Sequence, residues 1–149
     1  MVKTLLNITA IFTLSSSISL AAACKKEDAK KAVEMACSLI ETKGKAALDE
    51  ISNYRYCGSN YVWIQDSDVK MILHPIKPRL NGKSLHKNKD KNGKFLFVEF
   101  DKKAKSSEKM GWVDYFWSKP GAEEATAKTS FIKMCGGQLG YIAGSGVWK

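Results

Sequence analysis

The sequence predicts an α+β domain, and three observations carry that reading. An N-terminal stretch repeats small apolar residues at helical spacing. Most of the remainder consists of short β-prone runs joined by turn signals. The densest of these, residues 111–133, sets two aromatic and β-branched runs on either side of Lys119-Pro120-Gly121. That is the pattern of a hairpin with a longer loop. Because hairpin connections dominate, the sheet is mainly antiparallel, with the long helix packed on one face.

The chain begins with Lys3, an apolar, Ser-rich core and Ala21-Ala22-Ala23. This is the grammar of a secretory signal peptide over residues 1–23, cleaved after Ala23. It leaves residues 24–149 as a single domain. The leader is too short and too rich in Ser and Thr for a transmembrane helix, and no other segment could cross a bilayer. The expectation is a periplasmic chain with no membrane span once mature. Lipid attachment at Cys24 is the competing reading, weakened because Ala21 stands where a lipidation signal has Leu. Four cysteines, at 24, 37, 57 and 135, form an even set suited to disulfides in an oxidising compartment. With no close C-x-x-C pair and no His beside a Cys, neither zinc nor haem is indicated.

Residues 27–43 read as the long helix, with Ala29, Val33, Ala36, Cys37 and Ile40 on one face. Lys43-Gly44 interrupts it, and a short helix resumes over 46–52. Residues 61–65 and 69–74 read as two strands around an Asp66-Ser67-Asp68 turn. Pro75 and Pro78 impose a rigid loop, since each removes a donor and fixes the backbone. Asp90 to Gly93 is another turn. Residues 95–105 fit a short amphipathic helix, with strand as the competitor because Phe-Leu-Phe-Val is β-prone. In the hairpin's first run Val113, Tyr115 and Trp117 share one face, and Trp112, Asp114 and Phe116 the other. Large aromatics on both faces require cover on both. The second run falls near 127–134, and a last strand over 139–148.

The net charge is +9, and losing the leader lowers it by one through Lys3. Its lysines are scattered among acids, and only two arginines are present. This reads as a solvated surface rather than a nucleic-acid footprint, although the charge favours anions near a cleft. No enzyme constellation is present. Ser145 lacks a G-x-S-x-G frame, and there is no phosphate loop, zinc motif or dinucleotide fingerprint. No cofactor is expected.

Five segments occur in order: Tyr61 to Asp66 (YVWIQD), Met71 to Pro78 (MILHPIKP), Leu80 to Leu85 (LNGKSL), Gly111 to Gly121 (GWVDYFWSKPG) and Ser130 to Lys133 (SFIK). Together they resemble the single, type-2 Cache domain, over roughly residues 27–148. That resemblance implies a PAS-like fold. A long N-terminal helix packs on an antiparallel sheet of five to six strands, and loops and small helices on the other face enclose a pocket for small carboxylates and related metabolites. Typical members are membrane-anchored sensors that run on into a signalling module. This chain stops at Lys149, so the expectation is a free-standing periplasmic binding domain acting with a membrane chemoreceptor or sensor kinase. Ser118 stands where the family more often has Pro.

The resemblance places the site between the 74–79 loop and the hairpin. Trp63, Tyr115 and Trp117 form its wall, and His74, Tyr115 and Lys128 supply donors. Arg79 and Lys119 are further candidate cations. Lys128 stands where the family has a Lys before its Ser-Tyr/Phe-x-Lys segment. The ordinary reading of the same residues is core aromatics, a structural His and surface lysines. It belongs to an alternative in which the fold serves structure or protein interaction without a functional pocket. The resemblance also implies first and last strands running parallel side by side, hence a Cys57–Cys135 disulfide. Cys24 and Cys37 are left unassigned, since pairing them would fold the N-terminus back along its own helix.

Overall fold

The computed structural model describes residues 23–149; the expected leader over residues 1–23 falls almost wholly outside the described residues. Helix α1 spans Lys26–Lys43. Its Asp28 carboxylate accepts the Lys25 backbone N–H at 2.9 Å, tying down one free donor of the first turn. Gly44, at φ 58°, stops it, and its N–H returns to Ile40 O. The positive φ suits glycine there. A 3₁₀ turn then leads into α2, Ala47–Asn53. The second short helix is thus as read, with its entry tightened.

Five strands follow: β1 Trp63–Asp66, β2 Met71–Leu73, β3 Met110–Ser118, β4 Ala125–Met134 and β5 Tyr141–Trp148. They form one sheet in the order β2-β1-β5-β4-β3, antiparallel throughout. Between β1 and β2 the Asp66 carboxylate accepts the N–H groups of Asp68 and Lys70, both at 2.9 Å. This is the turn anticipated there, and it is the reason Asp suits the position. Residues 95–105 resolve as helix α3, Leu96–Ala104, which buries Leu96, Phe97, Phe100 and Ala104.

The sheet separates two cores. Beneath α1, Ala32, Val33, Ala36, Cys37 and Ile40 meet Ile64, Phe131 and Ala143. On the opposite face α3 covers Trp63, Val113, Tyr115, Ile132 and Ile142. The strand β3 alternates as its sequence requires, with Tyr115 and Trp117 under α3 and Trp112 toward the α1 side.

Two expectations fail together. Strands β1 and β5 are antiparallel, with Trp63 opposite Gly144 and Asp66 opposite Tyr141. The start of one therefore meets the end of the other, and Cys57 and Cys135 lie apart. The disulfides are Cys24–Cys57 and Cys37–Cys135, with Cα separations of 5.6 and 4.8 Å. Cys37 lies on the buried face of α1 and reaches the end of β4. Cys24 ties the start of α1 to the loop before β1, without any fold-back along the helix.

Candidate functional site

The face under α3 holds polar groups that an ordinary core would not contain. Seven side chains, Trp63, His74, Leu96, Phe97, Phe100, Tyr115 and Trp117, enclose a chamber of about 10 Å³. That is room for about one water. Gly144 contributes by absence: a Cβ there would strike the Trp63 indole, so the missing side chain lets the ring sit close against β5.

His74 closes β2 and is 1% exposed. Its Nδ1 accepts the Lys77 backbone N–H at 3.0 Å, so the ring proton resides on Nε2, 3.5 Å from Tyr61 Oη. Burial, with Lys128 and Lys77 adding repulsion, pushes its pKa down to about 3. The imidazole is therefore neutral at pH 7, a donor without charge. Trp117 Nε1 donates to Tyr61 Oη at 3.1 Å. Tyr115 Oη shares a hydrogen bond with Ser130 Oγ at 3.0 Å. Burial raises the pKa of both tyrosines, which keeps them protonated donors.

Lys128, on β4 and named from the resemblance as a donor, is the group least at home in a core. It is only 1% exposed. Among the described residues no acceptor reaches its Nζ, which lies 4.7 Å from the Tyr61 ring centroid and 4.0 Å from that of Trp148. Desolvation, and Lys77 as a second cation, lower its pKa to about 7. An ammonium away from water normally requires a partner; here it has two aromatic faces instead.

Lys77, in the loop after β2, donates to Ser118 Oγ at 2.7 Å and lies 4.5 Å over the Trp117 ring. Ser118 thus latches the loop to the end of β3, which a proline could not do. Of the residues named from sequence, Trp63, His74, Tyr115 and Trp117 converge on the chamber, and Lys128 lies on the same face of the sheet. Arg79 is exposed on the 3₁₀ turn Pro78–Leu80. Lys119 is exposed and lines a separate outer cleft with Asn60, Pro120 and Trp148. Tyr61, Lys77 and Trp148 were missed. Lys77 had a readable signal: it lies inside the His74–Pro78 segment, where the two prolines hold it close to His74. Cys24, Asp28 and Cys57 cluster closely, but both sulfurs are consumed by their disulfide, leaving one carboxylate and no metal site.

The Cache domain family matches residues 15–149. The chain belongs to that family. It is 39% identical over 108 residues to the methyl-accepting chemotaxis protein McpP of Pseudomonas putida; the match takes in 72% of this chain and 20% of that protein. The chain therefore spans about one fifth of that relative's length. A periplasmic sensor domain of a chemotaxis protein superposes with a TM-score of 0.77 at 34% identity, covering 83% of this chain and 94% of that one. A Cache chemosensory domain solved for its carboxylic acid recognition gives 0.75 at 34% identity, covering 83% and 92%. A methyl-accepting chemotaxis protein from Vibrio parahaemolyticus, at 23% identity and 0.72, shares the fold, over 83% and 87%. The chain is a Cache sensory domain homologous to the periplasmic domains of chemotaxis receptors. Cache domains are sensory modules. Among the described residues no helix is long and apolar enough to cross a membrane.

Proposed function

We propose that this domain is a periplasmic sensor module that binds a small carboxylate, and that Lys128 carries the ligand's charge. One observation supports this above the rest: a buried ammonium with two aromatic faces and no acceptor among the described residues. A protein that buries a cation without an acid leaves the countercharge to be supplied by something else. A carboxylate supplies it, and the Nε2–H of His74 and the hydroxyls of Tyr61 and Tyr115 offer further bonds to its oxygens. The similarity to a Cache domain that recognises carboxylic acids agrees with this chemistry. The leader over residues 1–23 and the two disulfides agree with export. The partner is a membrane chemoreceptor or sensor kinase.

The chamber of about 10 Å³ cannot hold even acetate without movement of an aromatic side chain. The 74–79 loop, latched through Lys77 and Ser118, is the element that yields. The same tight packing favours the second reading, a Cache fold kept for structure or interaction. A thermal-shift screen of acetate, propionate, pyruvate and succinate separates the two. A ligand at a hundredfold its Kd adds about 2.7 kcal/mol to stability. No shift with any short carboxylate, at concentrations up to tens of millimolar, favours the second reading.

A further inference from the structure

Lys128 is held by aromatic groups, and one of them has the closer and better fixed contact. Lys128 and Trp148 are directly opposed partners on β4 and β5, so their side chains rise from the same face. The Trp148 ring is 4.0 Å from Nζ, against 4.7 Å for Tyr61. The indole cannot turn freely, because its Nε1 donates to Trp117 O at 3.0 Å. Trp117 in turn donates to Tyr61 Oη. Trp148, Trp117 and Tyr61 thus form one hydrogen-bonded frame around the ammonium. Trp148 also lines the outer cleft, of about 350 Å³, while Trp117 lines the inner chamber.

We propose that Trp148 is a positioning residue for Lys128: its indole face holds the ammonium in place and favours its charged form. The proposal rests on the carboxylate reading for its functional meaning, but its physical content does not need a ligand. An aromatic face attracts an ammonium through its quadrupole, most strongly where water is excluded. Lys128 also lines a third cleft with Asp90, Lys94, Asp114 and Lys149, where the Lys149 ammonium holds the Asp114 carboxylate at 2.9 Å. The loop after β2 presents Lys77, a like charge, and neutral His74. The segment before β1 presents Tyr61, and β3 places Tyr115 opposite Lys128 in register; both are protonated. Among the described residues no acid pairs with Lys128.

The test is an NMR titration of the Lys128 side chain in the ligand-free chain, assigned by its loss in Lys128→Met. Trp148→Leu keeps apolar bulk and removes the π face; Trp148→Phe keeps a face. The Lys128 midpoint, near 7 in the parent, is expected to fall by about one unit in Trp148→Leu and by less in Trp148→Phe. Acetate affinity at pH 7 should weaken roughly tenfold in Trp148→Leu, with substantial rescue by Phe. An unchanged midpoint in Trp148→Leu overturns the proposal. If Trp148→Leu does not fold, the unaltered chain decides: the Trp148 indole resonances should titrate with the Lys128 midpoint, and their failure to do so overturns it equally. A parent that binds no carboxylate, yet whose Lys128 midpoint moves in Trp148→Leu, refutes the ligand reading and leaves the positioning role standing.

Discussion

The face of the sheet beneath α1 and the face beneath α3 differ in what they bury. Under α1 the helix contributes small and aliphatic side chains, with Ala32, Val33, Ala36 and Ile40 against Ile64, Phe131 and Ala143, closed by the Cys37–Cys135 disulfide. Under α3 lie three tryptophans, two tyrosines, a neutral histidine and a lysine with no acid partner among the described residues. The first face is built for stability, since close-packed apolar groups and a covalent link offset chain entropy. The second gives up stability, because a desolvated ammonium costs free energy in the folded state. The arrangement is the division expected when one face of a sheet supports a site on the other.

The comparison breaks most sharply at the disulfide. Reducing or removing Cys37–Cys135, for example by Cys37→Ala with Cys135→Ala, should cost roughly 3–5 kcal/mol, because the loop it closes is long. Urea unfolding measures this. A loss under 1 kcal/mol would mean that α1 docks through its apolar face alone. Cys24–Cys57 closes a much shorter loop, a sequence separation of 33 against 98, and its loss should cost less.

On the other face the sign reverses. Lys128→Met should raise stability by roughly 1–4 kcal/mol while abolishing carboxylate binding, as for buried charges replaced by apolar groups of similar volume. The same unfolding experiment decides it, and a destabilised variant would mean that an anionic partner offsets the desolvation of the ammonium.

Two titrations sharpen the contrast further. Lys128 titrates near 7 when folded and at its ordinary 10.5 when unfolded. Between those values the unfolded chain binds more protons, so stability rises with pH from 7 toward 10.5, a slope that Lys128→Met removes. His74 titrates near 3 when folded against 6.5 unfolded. Its contribution is present above pH 6.5 and is lost as pH falls toward 3. Ligand affinity follows the folded Lys128: highest below pH 7, weakening above it, with no break at 6.5 from His74. Affinity that stays level well above pH 7 would remove the charge-bearing role from Lys128.

The smallest expected effect is at the latch. Ser118→Ala leaves the Lys77 ammonium without its hydroxyl acceptor and should cost about 0.5–1.5 kcal/mol of stability. Carboxylate affinity should change only a few-fold, because the 74–79 loop yields more readily. A change as large as that of Lys128→Met would make the latch part of the site itself.

What the sequence could show follows the same division. Helix α1 and the alternation of β3 were legible because each rests on a period, 3.6 or 2, that one segment displays alone. The convergence of Trp63, His74, Tyr115 and Trp117 was legible only through family resemblance, since it joins three separate segments. The disulfide pairing was not legible: it depends on the direction of β1 against β5, which no local pattern encodes. The burial of Lys128 left a trace, because it shares strand parity with Ser130 and Ile132, whose side lies under α3. A lysine in a strand is ordinarily at the surface, however, and parity alone does not say that Trp148 covers it. Arg79 offers a guanidinium, yet the exposed 3₁₀ turn carries it away, and Lys77, two residues earlier, holds the loop.

Isothermal calorimetry of a short carboxylate such as acetate against the parent and Lys128→Met, at pH 6.5, tests the central claim most directly. The parent should bind. The variant should fold at least as stably and show no heat of binding. A Lys128→Met chain that binds as tightly as the parent would contradict the assignment of the ligand's charge to this lysine.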